Sequence, residues 1–450
     1  MTPNLDILIV GAGLSGLSAS IQCALAGHTV TVLEATQELA EIGAGLQLTP
    51  NATRLLQQWS VYPLLHSPCE PKTCTVYNYK GKLLAHEDNF GANCRRKYNA
   101  PFADCHRGDL QGALVQRASE LGVVVELGER VTGMNLDVKA DGEDGGRKRA
   151  RVATATGKTF SADLVVAADG LWSTCRSIFL RQPDPPVPTG DLAYRIVLHT
   201  HDIRDEKLRE MVREPGLRFW IGPDAHVVAY SMRGGSMYNV VLLVPDDLET
   251  GVTKTEGDLE EMRERFRGWD PVLTQLLSSV KNVTKWKLHH RPPLATFISP
   301  SSNFVLVGDA CHPMLPYLAQ GANSSIEDGA VLGLLLSCTV NPSFTGPGDL
   351  PAALRVFEKL RKSRAERIAR ETWGQREDFH LGDGEAQRRR DGVFERRLGR
   401  GEVVGEGEGE GRTERFPSRW TCPVVQGWLY GYDAVREVEE AVKGMREGER

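Results

Sequence analysis

No apolar run in this sequence is long enough to cross a bilayer, which takes about 20 residues. The longest late stretch, AVLGLLL at 330–336, is expected to be a buried helix. Nine cysteines are present but no C-x-x-C pair, which disfavours a zinc ribbon, a dithiol redox motif or a disulfide framework. Reduced thiols in a cytoplasmic compartment are the expectation. Positive charge is also in short supply: 54 Lys and Arg face 59 Asp and Glu, a net charge of −5. That balance argues against non-specific nucleic-acid binding and against docking on an anionic membrane. The first apolar strand starts so near Met1 that no secretory leader is expected.

What the chain does have is glycine at informative places. LDILIV at 5–10 reads as a buried strand of a parallel sheet. Gly11, Gly13 and Gly16 then fit G-x-G-x-x-G and open an apolar helix running to about 26. In such a turn the first glycine allows the sharp bend and the second lets backbone approach a pyrophosphate. The third lets helix and strand pack closely. The unpaired N–H groups at the helix start would hold the phosphates. A second strand at 29–33 delivers Glu34, whose carboxylate accepts from ribose hydroxyls and repels a 2′-phosphate; the adenosine held is then that of FAD or NAD, not NADP.

At 450 residues the chain exceeds one ordinary domain. Residues 1–185 read as the first part of a Rossmann-like α/β domain, with inserted strands near 70–100. A glycine-rich loop at 41–49 leads into a helix, with Asn51 a plausible N-cap. A helix is expected over 106–120 and a strand over 123–127. A charged, Gly-rich hairpin tip or loop is expected over 139–151, and a buried strand DLVVAA over 163–168 ends in Asp169-Gly170. The proline-rich QPDPPVPTG (182–190) marks a crossing into 186–290, where alternating apolar residues and turns at 222–223 and 234–235 predict an antiparallel sheet. Helices over 257–267 and 271–277 close that segment. NFVLVGDACHPMLPYLAQGANSSIEDG then returns the chain to the first domain over 291–375, with helices over 350–370. Residues 376–450 form a C-terminal region, irregular from about 375 yet mostly helical overall. It carries a low-complexity, mobile loop at 403–412 and an aromatic tail at 420–432 that docks back on the body.

Three motifs in order carry a family resemblance: G-x-G-x-x-G, the D-G pair Asp169-Gly170 within AADGLWSTCR, and the G-D pair Gly308-Asp309 with its long extension. Over residues 4–372 the chain resembles the class A, single-component FAD monooxygenases, the 4-hydroxybenzoate hydroxylase fold family, and in its WLYGYDA tail the fungal salicylate-hydroxylase-like members. The resemblance implies a Rossmann-like FAD domain with an interleaved antiparallel-sheet substrate domain. It implies bound FAD, NAD(P)H as a transient co-substrate, and O2 delivered to a small, electron-rich aromatic through a flavin C4a-hydroperoxide, in secondary metabolism or aromatic catabolism. Asp309, expected to end a strand beside the flavin chain, would accept from ribityl hydroxyls. N–H groups near Gly321 and Ala322 would face the pyrimidine end of the flavin. Gly45, in the loop after the second strand, and Arg107, in HRGDL, match segments that contact FAD, although Arg107 also suits a helix-cap arginine. Asp169 would serve both FAD and the nicotinamide.

Arg195, in DLAYR, and Tyr230, in HVVAYSMR, match substrate-facing positions of phenol-hydroxylating relatives. An arginine there would grip a carboxylate or phenolate oxygen with two donors; the alternatives are a sheet-edge arginine paired with a surface acid and a core tyrosine. No metal site is expected: His289 and His290 lack a third ligand at zinc-like spacing, and His312 and Cys311 read as parts of the loop fold. An FAD oxidase or dehydrogenase, a dearomatising or epoxidising monooxygenase, and a non-catalytic nucleotide sensor remain alternatives at this level.

Overall fold

The computed structural model describes residues 4–39, 43–139, 148–398 and 416–448; the expected loop at 403–412 and the hairpin tip at 140–147 lie outside them. The architecture is mixed α/β. A five-stranded parallel sheet runs in the order Phe304–Leu306, Leu164–Ala167, Asp6–Val10, Thr29–Glu34, Val124–Leu127. Its strands are the apolar runs, because helices and a three-stranded antiparallel layer (Val131–Lys139, Lys148–Thr154, Thr159–Ala162) bury both faces. The helices Leu14–Leu25 and Gln320–Leu335 pack together. Gly329 and Gly333 make this close approach possible: a Cβ on either would lie 2.5–2.6 Å from Ala19 or Gln22.

The second layer is an eight-stranded sheet in the order Lys254–Glu256, Thr284–His290, Val187–His199, Met237–Pro245, Ala225–Met232, Gly216–Gly222, Thr73–Asn78, Leu83–Asp88. The inserted strands near 70–100 thus extend the sheet of 186–290, joining it in parallel at Gly216–Gly222. Side-chain alternation sorts its two faces. Leu192, Tyr194, Ile196 and Leu198 pack outward under the short helices Glu206–Arg213, Leu259–Arg265 and Pro271–Ser278. Ala193 and Leu243 look inward, onto Leu315 and Tyr317 of the G-D extension. Arg195 and Tyr230 therefore stand on the inner face.

Three expectations need correction. Asn51 is not an N-cap: Thr49 precedes the helix Pro50–Gln58, and Asn51 sits inside it with its amide bonded to Gln320 (3.2 Å) and Glu327 (2.6 Å). The helix begun at 350 continues to Phe379, and the region beyond 375 is regular, with helices Glu385–Leu398, Pro423–Tyr430 and Ala434–Gly448. Its charged, low-hydropathy sequence hides a face that buries Phe394 among aromatic neighbours. Lastly, Asp309 does not end a strand; Phe304–Leu306 stops earlier and Gly308–Ala310 is one turn of 3-10 helix. The aromatic tail packs on the body: Trp420 is buried and its indole donates to the Tyr317 carbonyl at 3.0 Å. Among the described residues no helix is long and apolar enough to cross a membrane.

Candidate active site

The three glycines of the first turn have separable surroundings. Gly11 has φ +104°, and a Cβ there would lie 2.5 Å from the Ala168 carbonyl; one on Gly16 would lie 1.9 Å from the Gly11 carbonyl. Both are demanded by packing. Gly13 has no protein atom within 4 Å of its Cβ position, and the helix it starts has no side-chain cap. Its first N–H groups are thus left for an anion. Glu34 does more than the motif implies. One carboxylate oxygen accepts from the Ala12 N–H at 2.8 Å, and the other from the Thr36 N–H (2.9 Å) and hydroxyl (3.0 Å). It pins the glycine turn while facing a cavity of about 310 Å³ lined also by Gly13, Arg130, Asp169 and Trp172.

Asp169 caps the next helix, accepting from the Ser173 hydroxyl (2.5 Å) and the Cys175 N–H (2.9 Å). Arg176, buried seven residues later in the same motif, was not singled out from the sequence, although it closes AADGLWSTCR. Its guanidinium donates to Asp184 (2.6 Å) and to the carbonyls of Pro292 (2.9 Å) and Cys311 (3.2 Å). It thereby ties the D-G turn to the G-D turn.

In the G-D turn, Gly308 (φ +60°) presses on Ser15 of the first helix. Asp309 keeps an exposed edge yet is surrounded by protein. That burial raises its carboxyl above the usual range, while the charges of His312 and Arg107 oppose the rise. Arg107 begins the helix Arg107–Glu120, and its N–H donates to the Ala44 carbonyl at 3.0 Å, holding the 43–45 loop. The helix Gln320–Leu335 starts at Ala319 without a side-chain cap. Gly321 has only a Met314 carbon as near as 4.0 Å to its Cβ position, and Ala322 is half-buried. Asn323 and Gln320 bond to the 47–49 segment, so the helix start is held against the 43–49 strand and loop.

Behind this turn, Cys311, His312 and Asp328 bring ligand-type atoms within 4.8 Å of one another. Hydrogen bonds already spend the carboxylate: Asp328 accepts from His312 (2.5 Å), the Gly308 N–H (2.8 Å) and Arg361 (2.7 Å). Burial would raise the Asp328 carboxyl, but the charges of His312 and Arg361 hold it down to about 2. The cluster is an ion-pair brace, continued by Glu327 with Arg361 and Arg364 at 2.7 Å. Cys311 and His312 also line a cavity of about 350 Å³ shared with Arg291, Met314 and Trp373. A larger cleft, about 1540 Å³, lies elsewhere, between Asn135, Arg181, Ser301 and Arg355, and holds none of these groups.

On the inner face of the large sheet, Arg195 lies in an interior strand, not at an edge, and its guanidinium stacks 4.5 Å from the Trp286 ring centre. No carboxylate pairs with it among the described residues. Burial and the nearby Arg107 charge lower its pKa, opposed by Tyr230. Tyr230 is buried, and burial together with Asp104 and Cys105 pushes its phenol well above the ordinary value, so it stays neutral. Gly45 packs on this face: a Cβ on it would sit 2.7 Å from the Tyr230 ring and 2.5 Å from the Asn239 amide carbon. Two buried residues here escaped sequence reading, Asn239 and Asp104. Burial drives the Asp104 carboxyl well above its usual range, and its one side-chain partner is Gln47 at 3.1 Å. Neither lies in a recognisable motif; only the strand pairing reveals them.

The donor set and the cradle fit FAD. The glycine turn has room beside Gly13 and an uncapped helix start, Glu34 lines the cavity next to that turn, Asp309 offers an acceptor in the G-D turn, and a second uncapped helix starts at Gln320.

Comparison with known proteins agrees. A family model described as an FAD binding domain matches residues 4–372. An FAD-dependent monooxygenase of Beauveria bassiana is 46% identical over 446 residues, 98% of each chain. A 3-hydroxybenzoate 6-hydroxylase of Polaromonas naphthalenivorans is 30% identical over 373 residues, 81% of this chain and 86% of that one. Among solved structures, a salicylate hydroxylase substrate complex superposes with a TM-score of 0.73 over 98% of both chains at 23% identity, a likeness of fold.

Proposed function

The chain belongs to the FAD-binding-domain family of flavin-dependent aromatic monooxygenases, and from that premise we propose that it uses NAD(P)H and O2 to hydroxylate an anionic, electron-rich aromatic held by Arg195 and Tyr230. FAD, when bound, would supply the redox chemistry, with the nicotinamide as the source of reducing equivalents and O2 as the source of the inserted oxygen.

The observation that carries this reading is Arg195: a cation walled in by protein, stacked on Trp286, without a carboxylate partner among the described residues, on the sheet face opposite the G-D turn. Such a cation is costly unless an anion meets it. A planar fork suits a carboxylate or a phenolate oxygen. Tyr230, kept neutral, donates to a ring oxygen and favours its ionised form, which enriches the ring carbons for electrophilic oxygen. The apolar side chains around them, Val197, Val228, Val241, Met314 and Leu318, exclude water from the reacting ring.

The test is a panel of hydroxybenzoates and hydroxylated aryl ketones given to the yellow holoprotein with NADH or NADPH under isotopically labelled O2. The expected result is substrate-stimulated nicotinamide oxidation with one labelled oxygen in the product. Labelled hydrogen peroxide alone, with no oxygenated product from any anionic aromatic, overturns it.

A further inference from the structure

Asn239 stands at the centre of the inner face. It lies in the strand Met237–Pro245, directly opposite Tyr230 on one neighbouring strand and Val197 on the other. Arg195 is one diagonal step away, opposite Val241. The side chain is 1% exposed. Its amide orientation is set by chemistry: the Gly45 N–H donates to Oδ1 at 2.9 Å, so the oxygen must face Gly45 and the NH2 group is the other arm. That Nδ2 is buried and has no hydrogen-bond acceptor among the described residues. A buried amide donor without an acceptor is destabilising, and an oxygen supplied from outside the protein would satisfy it.

We propose that Asn239 is a substrate-binding residue whose Nδ2 donates to a second oxygen of the aromatic substrate. The proposal rests on the aromatic-hydroxylase reading above. Directly opposed side chains on paired strands have Cβ atoms about 4.5–5.5 Å apart and diagonal ones about 7–8 Å. Tyr230 and Asn239 are therefore close enough to share one oxygen, while Arg195 reaches a different point of the same ring. The substrate class that satisfies all three donors carries two oxygen functions on separate ring carbons. One is anionic, for Arg195; the other is a phenolic, phenolate or carbonyl oxygen, for Tyr230 and Asn239. Asn239 also joins the two halves of the site: its oxygen holds the backbone of Gly45, so a substrate oxygen on Nδ2 is positioned relative to the same loop that packs on Tyr230.

The test compares two probes on the FAD-loaded protein, followed by the change each makes in the flavin absorbance spectrum. 3-Hydroxybenzoate has both oxygen functions and benzoate has only the anionic one. Wild type is expected to bind 3-hydroxybenzoate about tenfold more tightly than benzoate. In Asn239→Asp, which keeps an acceptor for the Gly45 N–H, and in the apolar Asn239→Leu, that preference should fall to within about twofold at unchanged FAD content. Arg195→Ala should instead weaken both probes together. A preference that survives in Asn239→Asp and Asn239→Leu overturns the proposal, as does a wild type that binds both probes equally. Loss of FAD from Asn239→Asp with the preference retained assigns the amide to the cofactor and likewise overturns it. A wild type that binds neither probe removes the hydroxybenzoate class from the proposed function and takes this inference with it.

Discussion

The Tyr317 hydroxyl donates a 2.5 Å hydrogen bond to the Asp191 carboxylate, which also receives the guanidinium of Arg376 on both oxygens. Asp191 lies in the strand Val187–His199 of the large sheet, Tyr317 in the G-D extension, and Arg376 near the end of the helix Leu350–Phe379. One buried carboxylate thus fixes the distance between the sheet that carries Arg195 and the loop that faces it. Burial and that carboxylate raise the Tyr317 phenol, which stays a donor throughout the physiological range.

Asp191→Asn keeps the shape but leaves Arg376 without its anion. A loss of about 1–2 kcal/mol is expected in urea unfolding, less than for a fully buried pair because Arg376 is 30% exposed and water can reach the charge left behind. Because the clamp joins sheet and loop, nicotinamide oxidation should also uncouple from product formation. Unchanged unfolding and coupling would show the clamp to be redundant.

The glycine turn separates packing from ligand contact. Gly16→Ala should fail to give folded, yellow protein, since its Cβ would meet the Gly11 carbonyl at 1.9 Å. Gly13→Ala meets no protein atom, so its melting temperature without FAD should stay near wild type while FAD affinity falls about tenfold or more. Calorimetry of the apoprotein and FAD titration distinguish the two; equal FAD affinity in Gly13→Ala would mean the phosphates lie elsewhere.

Arg195→Ala should retain FAD, because the glycine turn, Glu34 and Asp309 belong to other elements. Product formation should drop about a hundredfold, the size expected when a reacting ring is misplaced by an ångström, while nicotinamide is still consumed. Arg195→Lys should recover only part, since an ammonium lacks the planar fork. Product and nicotinamide are counted separately; wild-type yields in Arg195→Ala would make the residue structural.

His226 and His380 share a 2.7 Å hydrogen bond and are both buried. Burial lowers both, His380 to about 4, with Arg376 adding to the fall and Asp191 opposing it. A histidine whose folded pKa is depressed is neutral in the fold and takes a proton more readily when unfolded. Its stabilising effect is therefore complete above about pH 6.5 and fades as pH falls toward 4. The melting temperature should decline over that window, and more shallowly in His380→Gln. Parallel curves for the two proteins would place the acid sensitivity in other groups.

The strand, glycine turn and helix at the start were legible along the chain, because such a unit is local: Gly11, Gly13 and Gly16 stand close together, and the strand and helix around them follow from apolar spacing. The alternation in 186–290 likewise announced a sheet with an inner and an outer face. What the chain could not disclose is what meets across that face. Arg195, Tyr230 and Asn239 are neighbours only through the register of three strands, and Asp104 joins them from a separate two-stranded sheet. The same holds for Glu34, whose hydrogen bond to Ala12 depends on two parallel strands lying side by side, and for Arg176, which binds carbonyls 116 and 135 residues away. In the C-terminal region the irregularity expected from about 375 was mistaken for the same reason, although its mostly helical character was foreseen. Its helices bury few apolar side chains of their own and are held by tertiary partners, such as Arg364 donating to the Trp428 and Leu429 carbonyls. Sequence patterning determines which residues want to be buried and which turns bind phosphate; only packing decides which polar groups are left facing one another, because those contacts join residues that no periodicity relates.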